Sequence, residues 1–130
     1  MRTLITFLFV LALSFNLVTT NYAQAPIFLE DFEAYTVGNL VACSNPTFWT
    51  TWSNAPCGAE DALVSNDFAH SGTKSAKILF NDDLVKDFGL AYTSGKYKIS
   101  FWVYIPATKA GYFNTLQTFA GGTSDWGVDV

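Results

Sequence analysis

The segment KYKISFWVYIP, residues 96–106, constrains the fold of this chain more than any other. Tyr97, Ile99, Phe101, Val103 and Ile105 fall on one side of an extended backbone, and Lys98, Ser100, Trp102 and Tyr104 on the other. Alternation over this length marks a strand, because successive side chains on a pleated backbone point to opposite faces. The first set carries no charge and reads as the core face of two packed sheets. The second mixes polar groups with two large aromatics, more apolar area than a merely solvated face carries.

The rest of the chain speaks the same language. Short runs of aromatic and β-branched residues alternate with Gly, Asn, Ser and Asp, and a helical period of 3.6 is nowhere convincing. Strands are expected at 27–33, 48–52, 62–65, 75–80, 85–90, 96–105, 111–120 and 126–130. Turn signals separate them at Asn81-Asp82-Asp83, Ser94-Gly95, Pro106 and Gly121-Gly122. Segment 111–120 is mixed on both faces, so its orientation stays open. The expected fold is all-β, a two-sheet antiparallel jelly-roll sandwich with one polar-aromatic outer face.

The ends of the chain speak to compartment. Arg2 followed by the apolar run LITFLFVLAL and a polar stretch to Ala23-Gln24-Ala25 has the layout of a secretory signal. Pro26 disfavours cleavage after Ala25, so residues 1–23 are read as the signal peptide and 24–130 as the exported domain. The apolar run is too short for a membrane span, which needs about 20 residues. Loss of Arg2 moves the net charge from −4 to −5. An acidic, Lys-poor chain argues against nucleic acid and anionic membranes as partners. TSDWGVDV reads as a strand broken off midway, which suggests the N-terminal part of a longer domain.

Three stretches together, FLEDFEAYTVGN, WTTWSNAPCGAEDALVSNDFAHSGTKSAKI and SGKYKISFWVYIPATKAGYFNTLQTFAG, resemble an N-terminal domain of secreted Bacteroidetes-type proteins. That domain is a concanavalin A-like jelly roll of the lectin/glucanase or MAM type, in proteins often exported by type IX secretion. The likeness spans nearly all of residues 28–130 and implies a fold and a compartment. It implies little chemistry, because jelly rolls host lectins, hydrolases and adhesive modules alike. Cys43 and Cys57 depart from the family pattern.

Those two cysteines are most simply a disulfide: the chain is read as exported, and its single histidine, His70, gives a metal or a thiol no partner. Trp49 and Trp52, three apart, point to opposite faces, one toward the core and one over the loop. Among the acids, glucanases of this fold carry E-x-D-x-x-E or E-x-D-x-E on one strand face, and no such string occurs here. Asp31 and Glu33 share a face while Glu30 opposes them; Glu60-Asp61 are adjacent. Many sandwich carbohydrate-binding modules hold a structural Ca²⁺ beside the first strand, and Glu33 with the Ser71-Gly72 turn offers the matching oxygens, with solvated strand-end charges as the alternative. His70 reads as a turn or surface residue. For sugar, Trp102 and Tyr104, with Lys98, Ser100 and Gln117 to bond hydroxyls, are the candidate platform, unless a loop or helix covers that face. The function expected is a secreted, non-catalytic module binding carbohydrate or cell-surface glycan. The alternatives are a glycoside hydrolase with its carboxylates beyond residue 130, or a cell-surface spacer.

Overall fold

A computed structural model describes residues 25–89, 92–122 and 124–129. The expected signal segment lies outside the described residues. Within them the chain is built of short antiparallel ladders: β1 (Trp49–Thr51) with β4 (Leu84–Lys86), β2 (Leu63–Ser65) with β3 (Ser75–Lys77), and β5 (Asn114–Phe119) with β6 (Ser124–Asp129). The only helix among the described residues is the single turn α1 (Val41–Ser44). The described chain is therefore all-β.

Four of the expected strands contain an observed one, two more (85–90 and 126–130) overlap one that starts earlier, and two match none. Segment 27–33 is turned by its own carboxylates. Glu30 Oε1 accepts the Phe32 N–H at 2.8 Å and Asp31 Oδ1 the Glu33 N–H at 3.0 Å, with Phe32 at φ 62°. Such local bonds offer the backbone an alternative to a ladder. Segment 96–105 forms no ladder among the described residues, yet its side chains keep an antiparallel order. The Phe101 ring lies 4.8 Å from that of Phe113, and a side chain on Gly111 would meet Ile105 and Val103. The turn between closes with Lys109 N–H on Pro106 O at 3.1 Å.

The core is small and lies elsewhere. Val41, Ala62 and Val64 are buried, with Phe32, Tyr35, Trp49, Ala76 and Leu84 packed against them. The face expected to be core, from Tyr97 to Ile105, is uncovered: its five residues are 50% to 59% exposed. Nothing among the described residues packs over it, and α1 with the first two ladders closes the core without it.

Asp61 holds that core together. Only 4% exposed, it accepts the Ala42 N–H on Oδ1 at 2.8 Å, and the Cys43 and Cys57 N–H groups on Oδ2 at 2.8 and 3.2 Å. The first two bonds satisfy amide groups that the one-turn helix leaves open. They also gather both cysteines on one oxygen, and Cys43 and Cys57 form the disulfide expected. Trp49 faces the core and donates its indole N–H to Glu30 at 3.2 Å. Trp52 instead meets the β5–β6 hairpin: its carbonyl accepts the Gly122 N–H at 2.9 Å, and its ring lies 6.3 Å from Phe119. Beside β1, the Lys86 ammonium sits 4.5, 4.9 and 5.4 Å from the ring centres of Phe28, Phe48 and Phe88. Burial pushes its pKa down, against the pull of Asp87 and Glu30.

The β5–β6 register slips twice. Thr115 pairs with Val128 but Leu116 with Trp126, passing over Gly127; Thr118 then pairs with Asp125, passing over Gln117. A side chain at Gly127 would lie 2.8 Å from the Thr115 carbonyl oxygen, so the first slip needs glycine.

Candidate functional site

The even-numbered face of 96–105 is where the structure gathers chemistry. Downstream of β2 the chain carries Phe68 and His70, two apart and hence on one side. The Phe68 ring stacks on Tyr104 with centres 4.2 Å apart and planes at 28°; His70 stacks on Trp102 at 4.0 Å and 9°. The pairings 68 with 104 and 70 with 102 are those of antiparallel neighbours in register. All four residues are exposed, Trp102 to 77% and Tyr104 to 61%.

On the other flank, the Phe101–Phe113 contact puts Trp102 in line with Tyr112 and Ser100 with Asn114. Tyr112 is exposed, and its hydroxyl accepts the Asn114 amide N–H at 3.1 Å. The result is a band of rings on one face of this extended segment, open to solvent, with amide and hydroxyl groups at its border. Lys98 and Ser100 share that face by alternation and are exposed. Gln117 does not join it. It sits at the second register slip, five residues and on the order of 17 Å along the strand beyond Tyr112.

Comparison with family models, with curated proteins and with solved structures finds no match for this chain.

The acids serve a different purpose. Glu30 Oε2 accepts the Tyr35 hydroxyl at 2.6 Å, and burial, then this bond, pushes the Tyr35 phenol pKa up. Glu60 accepts the Ser53 N–H at 2.8 Å and the Ser53 hydroxyl at 2.7 Å, bonds that hold its pKa below the usual carboxylate range. Asp67 pairs with Lys77 at 2.7 Å, which lowers its pKa in the same way. Glu33 reaches the backbone just past the Ser71-Gly72 turn. Its Oε1 accepts the Thr73 and Lys74 N–H groups, each at 2.7 Å, and its Oε2 the Thr73 hydroxyl at 3.0 Å. The Thr73 amide is the largest cause of its lowered pKa. The Lys74 ammonium completes the clasp on the carbonyl oxygens of Glu33 and Tyr35, at 2.8 and 2.6 Å. Gly72 has φ 66°, and a side chain there would lie 2.5 Å from the Glu33 carboxylate. Among the described residues there is no group of three or more His, Cys, Asp or Glu able to share a metal ion, and no helix is long and apolar enough to cross a membrane.

Sequence reasoning found Trp102 and Tyr104 and missed Phe68, His70 and Tyr112. The i, i+2 spacing of Phe68 and His70 was a signal that both face one way. Which strand they would face was not written locally.

Proposed function

We propose that this chain is a secreted, non-catalytic jelly-roll sandwich module that binds carbohydrate, or the glycans of a cell surface, on the Trp102–Tyr104 face. The observation that carries the reading is the pair of solvent-exposed ring stacks, His70 on Trp102 and Phe68 on Tyr104. Sugars bind through C–H faces laid on aromatic rings, with a few polar groups fixing the hydroxyls. Asn114, Tyr112, Ser100 and Lys98 supply such groups on the same face. Export agrees with the Cys43–Cys57 disulfide, a bond that persists in oxidising compartments.

The hydrolase alternative gains no support from the acids within the chain. Glu30, Asp31, Glu33, Glu60 and Asp61 all accept backbone or hydroxyl hydrogens that hold loops in place. The Ca²⁺ expected at Glu33 and Ser71 meets a related difficulty. Calcium takes six to eight oxygen ligands, whereas both Glu33 oxygens face N–H and O–H donors. To hold the ion, the turn would have to present its carbonyl oxygens instead.

The test is a glycan array and affinity gel comparing the wild type with Trp102→Ala at matched thermal stability. A wild-type ligand should lose at least about tenfold in affinity, the size of a hot-spot truncation. Equal binding by the folded variant would remove this face from consideration, and no wild-type ligand across a broad panel would favour a spacer role.

A further inference from the structure

The chain as a whole is acidic, with 11 Asp and Glu against 7 Lys and Arg. Its aromatic face has the opposite character. Alternation puts Lys96 and Lys98 on the side of Ser100, Trp102 and Tyr104, and both lysines are exposed. The flanking segments add His70 on one side, and Tyr112 and Asn114 on the other. None of these positions is a carboxylate.

The neighbouring acids are otherwise engaged. Asp67 is paired with Lys77, and Glu33 is clasped by Thr73 and Lys74. Asp129 is opposite Asn114 in register, on β6, one strand further from Trp102. Among the described residues Lys77–Asp67 is the only ion pair, so neither Lys96 nor Lys98 has a described carboxylate within salt-bridge distance. The two lysines are about 7 Å apart along the extended backbone, and Lys98 is about 14 Å from Trp102. That spacing suits an extended polymer that lies along the strand, its rings over the aromatic band and its charges over the lysines.

We infer that the ligand of this face is an anionic polysaccharide, a chain of carboxylated or sulfated sugars, rather than a neutral glycan. The inference rests on the carbohydrate reading above and specifies its substrate class. Neutral sugars use the rings and the hydrogen-bonding groups but leave the charge of the two lysines unmatched. An acidic polymer adds charge attraction at sites where the protein repels nothing, and the attraction steers its approach to an otherwise acidic molecule.

The experiment uses the full chain, recovered after export, and two matched pairs of polymers: polygalacturonate with its fully methyl-esterified form, and dextran sulfate with dextran. Binding is read by affinity electrophoresis and titration calorimetry at low salt and again near 0.5 M, where charges are screened within a few ångströms. The charged member of at least one pair should bind about tenfold or more tightly than its neutral partner, and salt should erase most of the difference. Which pair responds distinguishes carboxylate from sulfate. The Lys96→Ala/Lys98→Ala double variant, altered at exposed positions that do not endanger folding, should bind the charged polymer roughly 3- to 10-fold more weakly. Its loss for the neutral partner should be clearly smaller, and Lys→Arg at both sites should restore the charged binding. Equal binding of charged and neutral members, or indifference to the double substitution, overturns the inference and leaves the carbohydrate reading intact. No binding to any of the four polymers overturns the inference, and the glycan array above then decides whether the carbohydrate reading goes with it.

Discussion

Asp61 and Trp102 stand for two regions held in opposite ways. Around Asp61, from Glu30 to Lys86, carboxylates reach across loops to backbone amides, a disulfide closes one loop, and three small side chains are buried. Around Trp102, from 92 to 113, no ladder forms among the described residues, and order comes from ring against ring on a surface open to water. The first region is polar in its fastenings and dry at its centre. The second is apolar in its contacts and wet throughout. A region of the first kind resists change at its fastenings, and one of the second kind keeps apolar area available to a ligand.

The sharpest way to break the comparison is at Asp61. Asp61→Ala strands the amides of Ala42, Cys43 and Cys57 without their acceptor, the first of these bonds buried and the other two partly so. Leaving buried donors unsatisfied costs about 1–3 kcal/mol each, more where the lost partner was charged. The expected loss is about 3–5 kcal/mol by urea denaturation, much of what a domain this size possesses. A loss below about 1 kcal/mol would mean that the disulfide alone organises the loop.

Glu33 offers a smaller, pH-dependent effect. Its folded-state pKa lies below the unfolded one, chiefly through the Thr73 amide. The charged form therefore stabilises the fold above the unfolded pKa, and that contribution disappears as pH falls through the folded value. Glu33→Gln should lower the urea midpoint at pH 7, by a gap that narrows at pH 3. A gap of equal size at both values would show that charge is not what the clasp uses.

The smallest effect is expected in the second region. Ile99→Thr changes an exposed position and should shift stability by no more than about 0.5 kcal/mol. A cost of 2 kcal/mol or more would mean that Tyr97, Ile99, Phe101 and Val103 are covered in solution, and the contrast between the regions would collapse.

What could be read from the sequence follows the same division. Alternation located most strands and sorted 96–105 correctly into two faces, because a period of two is a local property. Two cysteines in a chain read as exported, with a single histidine and no metal-ligand pattern beside them, announced the disulfide. The carboxylate ties were hidden: EDFE reads as a strand with solvated ends until Glu30 and Asp31 are seen to bend it and Glu33 to reach 40 residues ahead. The turn α1 was equally silent, since its amides are satisfied by an acid 18 and 19 positions away. The stacks of Phe68 and His70 on the aromatic face depend on strand neighbours that no local pattern specifies.

The two register slips in β5–β6 bear on how this hairpin can change over generations. One adds a residue to β6 at Gly127 and the other adds one to β5 at Gln117, so the pairing of Asn114 with Asp129 at one end and Phe119 with Ser124 at the other remains in step. A lineage that deletes Gln117 alone would turn every residue beyond it to the wrong side, because a shift of one position exchanges the faces of a strand. Deleting Gly127 alone would do the same to its partner. Losing both together would leave a plain hairpin with its ends unmoved. Relatives of this chain should therefore carry both extra residues or neither, and a length change on one strand should be matched by a change on the other.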